Sequence, residues 1–352
     1  MGVKGANNCY KTKVGYRSII ASDLRGKLIA VDNAAVLDYP LRCVAKSNHL
    51  RDINPLVDEI DEAFVDRKWL KSVINRITEY YGEGFTPVSA FDGPRSNLKA
   101  RTARERAAVQ KKAEDELAAL KSIVDPTQAD VDRALKCLAQ IDRVPKESRD
   151  KCRELLRVMG VPYVVSTGEA ERTCALMNHD GVVYATITPD SDYLAGGGLL
   201  QLTKKMTIQS GGIGLPGFET AEQGPLLQAL GVSFDVYQQI CIMAGNDMNE
   251  NLKHPVTGKG QSFAFALKEM KKHGTIANFA AATGRDVSPL NHEQVYEECF
   301  KVVPWKSTVS EYDLSPTGDD ARARELARLY GASTEMERFI TARDKLAKEL
   351  TE

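Results

Sequence analysis

Short apolar runs alternate along the chain with longer stretches whose apolar positions recur at helical spacing. Residues 27–31 (Lys-Leu-Ile-Ala-Val) form one such run and end at Asp32. Residues 87–91 form a second and end at Asp92-Gly93; Val161–Val165 forms another, and residues 182–188 form one that leads into Asp190 and Asp192. Runs of this length with nearly unbroken Val, Ile and Ala predict strands buried on both faces, as parallel sheets require. Between the first two runs lies a charged stretch with Phe64, Leu70, Val73, Ile74 and Ile77 at core spacing, which predicts a helix. Strand, helix, strand in this order predicts an α/β fold with a central, mostly parallel sheet flanked by helices. The carboxyl ends of parallel strands share one edge, so the acids that follow the three runs are expected to meet there.

Further elements follow from end signals. Ser166 with Glu169 reads as a capping box opening a helix whose apolar stripe is Ala170, Cys174 and Met177, and Gly181 stops it. Residues 226–244 and 262–272 read as helices, as do 128–141, begun by Thr127 and Asp130, and 149–159. Thr317 with Asp320 and Thr334 with Glu337 predict two C-terminal capped helices. Gly196-Gly197-Gly198 and Gly211-Gly212-Ile213-Gly214 read as turns between short strands, since no Gly-Lys-Ser/Thr follows them to make a P-loop. Residues 95–112 differ from their surroundings, with seven positive charges against one negative in a strongly helix-forming sequence. Lys99 and Arg106, seven apart, are expected on one face of this helix, as an anion-binding surface. The helices at 95–150 are poor in large apolar residues. They are expected to project as an arch over the strand ends, with low local order.

Composition adds boundaries. With 352 residues, 43% hydrophobic and 27% charged, the chain is long enough for a substantial core. No run of eighteen apolar residues and no secretory leader is found, so a protein inside the cell, with no membrane contact, is expected. Seven scattered cysteines without a Cys-x-x-Cys pair indicate neither a disulfide framework nor a zinc site. The net charge of −1 means that any nucleic-acid contact must use local basic patches.

The chemistry lies in the acids. Asp32, Asp92, Glu169, Glu171, Asp190, Asp192 and Asp247 form an all-oxygen set, which suits Mg²⁺ or Mn²⁺ rather than zinc. Two such ions about 4 Å apart clamp the attacking and leaving oxygens of a phosphodiester. Gly258-Lys259-Gly260, lying between two helices, is a turn through which main-chain amides can approach phosphates. In order and separation, Ala30-Val31-Asp32, Phe91-Asp92-Gly93, Gly168-Glu169-Ala170-Glu171, Thr188-Pro189-Asp190-Ser191-Asp192 and Gly245-Asn246-Asp247 resemble the flap endonuclease and 5′ exonuclease family of structure-specific DNA nucleases. The resemblance runs from Met1-Gly2-Val3-Lys4-Gly5 to about residue 280.

It implies a PIN-like 5′-nuclease fold in which the seven acids bind two Mg²⁺ ions, with Mn²⁺ able to substitute. It also implies catalytic roles for Asp32 and Asp92 and, at the scissile phosphate, for Lys99 and Arg106. DNA contacts are implied for Gly2, Lys99, Arg101, Arg104, Arg106, Gly258, Lys259 and Gly260, with K⁺ at a helix–two-turn–helix element. The organisation it implies is a nuclease core at 1–222 with a helical arch at 95–150. A duplex-binding region follows at 223–285, and a C-terminal helical segment at 286–352. The expected protein is a monomer that hydrolyses DNA at 5′ flaps, nicks, gaps or ends during replication or repair.

The chain also departs from its relatives. Asp38 stands where they carry an aromatic or His that stacks on a base, with Tyr39 adjacent. Lys253-His254-Pro255-Val256-Thr257 lengthens the approach to Gly258, and the tail has no recognisable sliding-clamp motif. Thr-Pro-Asp-Ser-Asp-Tyr-Leu leans toward the mismatch-repair exonuclease branch. Two alternatives remain at this point: a non-catalytic scaffold for DNA junctions, and a carboxylate-metal phosphatase for small molecules.

Overall fold

The computed structural model describes residues 2–94, 96–141, 144–210 and 213–352. Arg95, at the start of the basic stretch, and Gly211-Gly212 lie outside the described residues, as does Met1. The chain divides into two compact units that interleave along the sequence: residues 1–32, 83–100 and 163–312 in one, and 33–82, 101–162 and 313–352 in the other.

The first unit contains an eight-stranded sheet. Its strands are β1 (Arg17–Ile20), β2 (Leu28–Asp32), β3 (Thr86–Phe91), β4 (Tyr163–Ser166), β5 (Ala185–Ile187), β6 (Leu200–Ser210), β7 (Ile213–Glu222) and β8 (Val309–Asp313). Their order across the sheet is β1-β7-β6-β5-β2-β3-β4-β8. The centre is parallel, as expected: β2 pairs with β3 and β5, β3 with β4, and β5 with β6. The β6–β7 hairpin and β1 are antiparallel, so the sheet is mixed. Ile29, Ala30 and Val31 of β2 and Val88 and Ala90 of β3 are buried, the continuous burial that their unbroken apolar runs predicted.

Register aligns the strand ends. Asp32 lies opposite Ala90, Val31 opposite Ile187, and Phe91 opposite Val165. The residues just past these positions therefore leave one edge side by side. The strand expected at 182–188 is shorter than its apolar run, because Asn178 takes the carbonyls of Val183 and Tyr184 before the sheet begins at Ala185. Residues 226–244 form two helices, Gln223–Leu230 and Phe234–Ala244. Gly231 (φ +61°) breaks them apart, and the Ser233 hydroxyl caps the second.

The second unit is helical. Helix Glu62–Gly82 buries Trp69, Leu70, Val73, Ile74 and Ile77, and the Trp69 indole donates to the Leu37 carbonyl at 2.9 Å. Phe64 leaves the predicted stripe: it stacks on His49 and lies under Lys68 instead of entering the core. Helix Gln128–Gln140 opens with the predicted Thr127–Asp130 capping box. It packs with helix Ala100–Lys121 on Ala113, Leu120, Ala134 and Cys137. The charged helices, expected to be poor in large apolar residues, thus share a small apolar core built mainly from small side chains. Lys99 is not on that helix but on the short turn before it, Asn97–Lys99, so it does not share a helical face with Arg106. The C-terminal helices are present at Asp320–Leu329 and Ser333–Thr351 without the predicted boxes. Asp320 pairs with Arg343 and Glu337 with Arg324, so neither side chain is available to its helix end.

One buried ionic group holds this unit together. Arg42, 1% exposed, reaches Asp66 at 3.2 Å and also Glu62. Asp66 accepts from the Ser148 hydroxyl at 2.8 Å and from Lys151 at 3.0 Å. Asp66→Ala leaves the Arg42 guanidinium buried beside a largely exposed partner. Removing one partner of a buried pair typically costs about 3–5 kcal/mol. Chemical denaturation is expected to show a loss of that size, and a loss below about 1 kcal/mol would be the value of a surface pair instead.

Candidate active site

The acids reach one edge of the sheet from five segments. Asp32 ends β2, is 5% exposed and accepts the Thr188 hydroxyl at 3.1 Å. Asp92 follows β3 and accepts the main-chain N–H of Ala170 at 2.9 Å. That bond corrects the expected capping box. Ser166 belongs to β4, and Glu169 is the N-cap of helix Ala170–His179 but makes no side-chain cap bond. An acid from a different loop supplies the missing acceptor. Gly93 makes this approach possible. Its N–H donates to the Gly168 carbonyl at 2.7 Å, and a Cβ there would lie 2.0 Å from the Ser166 carbonyl oxygen.

Asp190 and Asp192 follow β5, with the Asp192 N–H donating to Asp190 Oδ1 at 3.3 Å. Their loop is held by two residues that the sequence reading did not single out. Thr188 Oγ1 accepts from the Asp190 N–H at 3.2 Å, and buried Gln201 donates to the Thr188 carbonyl at 3.0 Å and to the Asp190 carbonyl at 2.6 Å. Thr188 stands inside the quoted motif, whereas Gln201, on β6, carries no local signal. Gly2 packs against this loop: a Cβ on it would lie 2.1 Å from Asp190 Oδ1. The structure therefore gives Gly2 a packing role at Asp190. The Lys4 N–H donates to the Gly245 carbonyl at 3.0 Å, which ties the N-terminal segment to the loop carrying Asp247.

The electrostatics follow from this crowding. Burial pushes the Glu171 carboxyl well above its usual value, and Asp190, Asp192 and Asp32 push it further. Burial raises Asp192 in the same way, reinforced by Asp190 and Asp247. Burial also raises Asp190. Glu171 Oε1 and Asp192 Oδ1 are buried and lack a hydrogen-bond partner. Lys99 answers part of this charge, with its ammonium 2.7 Å from Glu169 Oε2. Burial works against the Lys99 charge, but Glu169, then Glu171 and Asp92, outweigh it and hold the ammonium above its ordinary value.

No three acids, histidines or cysteines among the described residues enclose an ion as they stand. Even so, the donor set fits a divalent cation: two buried carboxylate oxygens without partners face further acids, in an all-oxygen surround. A cavity of about 470 Å³ opens beside them, lined by Lys99, Glu169, Glu171 and Asp192 together with Asn97, Gln294 and Glu298.

Comparison with known proteins agrees with the geometry. The XPG I-region family matches residues 160–247, the segment that carries Glu169, Glu171, Asp190, Asp192 and Asp247. Flap endonuclease 1 of Phaeodactylum tricornutum is 27% identical over 278 residues, covering 78% of this chain and 62% of that protein. The chain is similar to flap endonucleases of the XPG type. It spans less than two thirds of the length of that relative. Among solved structures, flap endonuclease-1 from Methanococcus jannaschii aligns with a TM-score of 0.60 at 20% identity, covering 96% of this chain and 98% of that one. The catalytic core of Rad2 in complex with DNA substrate aligns with a TM-score of 0.57 at 18% identity, covering 95% and 98%. Both show the flap endonuclease fold.

Of the other residues expected in this family's site, Arg101 pairs with Glu105 at 2.8 Å, and Arg104 and Arg106 are exposed on helix Ala100–Lys121. Gly258, Lys259 and Gly260 lie in an exposed hairpin of the sheet-containing unit. A Cβ on Gly260 would lie 2.0 Å from the Asn251 side chain. At Gly258 nothing lies within 4 Å of a Cβ, and only its φ of +64° favours glycine.

Proposed function

We propose that this protein is a structure-specific 5′ nuclease that hydrolyses DNA phosphodiesters at flaps or ends during replication or repair. It would use two Mg²⁺ ions, which Mn²⁺ can replace. The observation that carries this reading is the pair of buried, partnerless oxygens on Glu171 and Asp192, set among five further acids at the strand edge and beside Lys99. Asp32, Asp92, Glu169, Glu171, Asp190, Asp192 and Asp247 are the residues that would hold the ions. Divalent ions held there supply Lewis acidity and make water acidic enough to yield a nucleophile near neutral pH.

The chain's own groups do the rest. Lys99 stays charged and occupies Glu169 until a substrate phosphate offers it a second anion. It then places a positive charge where negative charge builds up in the transition state. Asp92 keeps helix Ala170–His179 docked, which holds Glu171, in the first turn of that helix, at the edge. Thr188 and Gln201 fix the Asp190–Asp192 loop. DNA as the substrate is supported by the relatives' names and by the Rad2 complex with DNA. Arg101, Arg104 and Arg106 would track the phosphates of a single-stranded 5′ end. The hairpin with Lys259 would hold duplex, with K⁺ beside it, and the protein would act as a monomer.

The test is cleavage of labelled flap, nicked, gapped and blunt duplexes in Mg²⁺, Mn²⁺, Ca²⁺ and EDTA. Duplex affinity would be compared in KCl and NaCl. Cleavage near the flap junction or 5′ end is expected in Mg²⁺ and Mn²⁺ only. A protein block on the 5′ end before mixing is expected to prevent it, while the same block added to a formed complex is not. Tight junction binding without metal-dependent cleavage of any of these substrates would overturn the proposal.

A further inference from the structure

Arg285 lies outside every motif discussed so far. It follows Gly284, whose φ of +68° ends helix Ile276–Thr283. Its guanidinium lies 5.8 Å from the ring centroids of both Phe265 and Phe279, two rings that meet edge to face at 6.4 Å. The same guanidinium donates to the main-chain carbonyl of Lys253. Lys253 starts the stretch before Gly258 that reads, in sequence, as longer than in the family. In the structure that stretch is a closed hairpin. Lys253 bridges Gly260, the His254 N–H donates to the Lys259 carbonyl at 2.7 Å, and the Gly258 N–H donates to the His254 carbonyl at 2.9 Å.

Resting on the duplex-binding role proposed for this hairpin, we infer that Arg285 is a positioning residue that fixes the Gly258-Lys259-Gly260 turn to the helix pair beneath it. Its donor and its π contacts face the protein, and the rings Phe265 and Phe279 belong to the two successive helices that follow the turn, Phe263–His273 and Ile276–Thr283. A planar group with several donors can stack on two rings and hold a carbonyl at once, whereas a lysine ammonium can satisfy only part of that set. Lys259 is exposed and faces His254, one residue from the Lys253–Gly260 bridge, so a shift at Lys253 moves the charge that would meet a phosphate.

The test is a double-mutant cycle on duplex affinity with Arg285→Ala and Lys259→Ala, joined by Arg285→Lys and by amide exchange of the hairpin in the free protein. Arg285→Ala is expected to weaken duplex binding roughly tenfold, the scale of a misplaced phosphate contact across a moderate salt range. Single-turnover cleavage at saturating enzyme should hold. In the Lys259→Ala background the Arg285 effect should largely vanish, because both changes remove the same contact. Arg285→Lys should not rescue, and the His254 and Gly258 amides should exchange faster in both Arg285 variants.

Additive losses, or rescue by Lys, would make Arg285 a direct phosphate contact and overturn the inference. So would unchanged amide exchange. If Lys259→Ala alone leaves duplex affinity intact, the hairpin is not the grip and the underlying reading fails. The amide exchange still reports separately whether Arg285 holds the turn. If Arg285→Ala does not fold, Arg285→Lys carries the same comparisons.

Discussion

Asp192→Asn is expected to lower cleavage by about two to three orders of magnitude or more, the scale on which loss of one preorganised electrostatic group is felt. Duplex affinity should be unchanged, because the basic helix and the hairpin are untouched. A second effect goes the other way. Burial and the neighbouring acids raise the Asp192 carboxyl, so the folded protein binds a proton there more tightly than the unfolded chain does. The stability that this proton confers is fully present below the ordinary carboxylate value of about 4 and is lost as pH rises through the higher folded value. An amide carries no such charge. The variant should therefore melt higher than wild type in EDTA near neutral pH, with the gap closing toward about pH 4. Mg²⁺ or Ca²⁺ should raise the wild-type melting temperature more than that of the variant. Near-wild-type cleavage by Asp192→Asn, or a lower melting temperature in EDTA, would remove Asp192 from the site.

Lys99→Ala is expected to slow single-turnover cleavage by about two to three orders of magnitude, the usual loss on removing one charge-stabilising donor. The structure gives Lys99 a particular place: its ammonium is partly buried, stays charged, and lies 2.7 Å from Glu169 at the acid edge. Lys99→Arg should recover part of the rate, since the charge survives while the reach changes. Arg106→Ala is expected to slow cleavage on the same scale, as the role implied by the family resemblance requires. If affinity collapses in Lys99→Ala while the rate from the bound state holds, the residue only anchors phosphate.

The legible parts of this fold were those set by local pattern. The β2 and β3 runs, with Asp32 and Asp92 at their ends, could be read because burial on both faces leaves a continuous apolar word in the sequence. Parallel pairing then brought the acids to one edge with no further information. What could not be read were choices made by distant partners. The cap of helix Ala170–His179 comes from Asp92 and not from Ser166, and Asp320 and Glu337 are claimed by Arg343 and Arg324. Lys99 fell on the turn before its helix because end effects are set by residues outside the periodic stretch. Gln201 could not be found at all, since a buried amide holding two carbonyls looks in sequence like any strand residue.

The bond from Ala170 to Asp92 also bears on the order in which the molecule comes together. It spans 78 residues of sequence, and the Thr188–Asp32 bond spans 156. Contacts of such separation raise the contact order of the chain, which slows folding as a whole. Because the same bonds gather the repelling acids, that repulsion is felt only when the sheet edge is already closing. The strands that carry the acids pair across the same separations, Ile29 with Ala185 among them, so sheet and acid cluster are expected to assemble together, and refolding is expected to run faster in Mg²⁺ or Ca²⁺ than in EDTA.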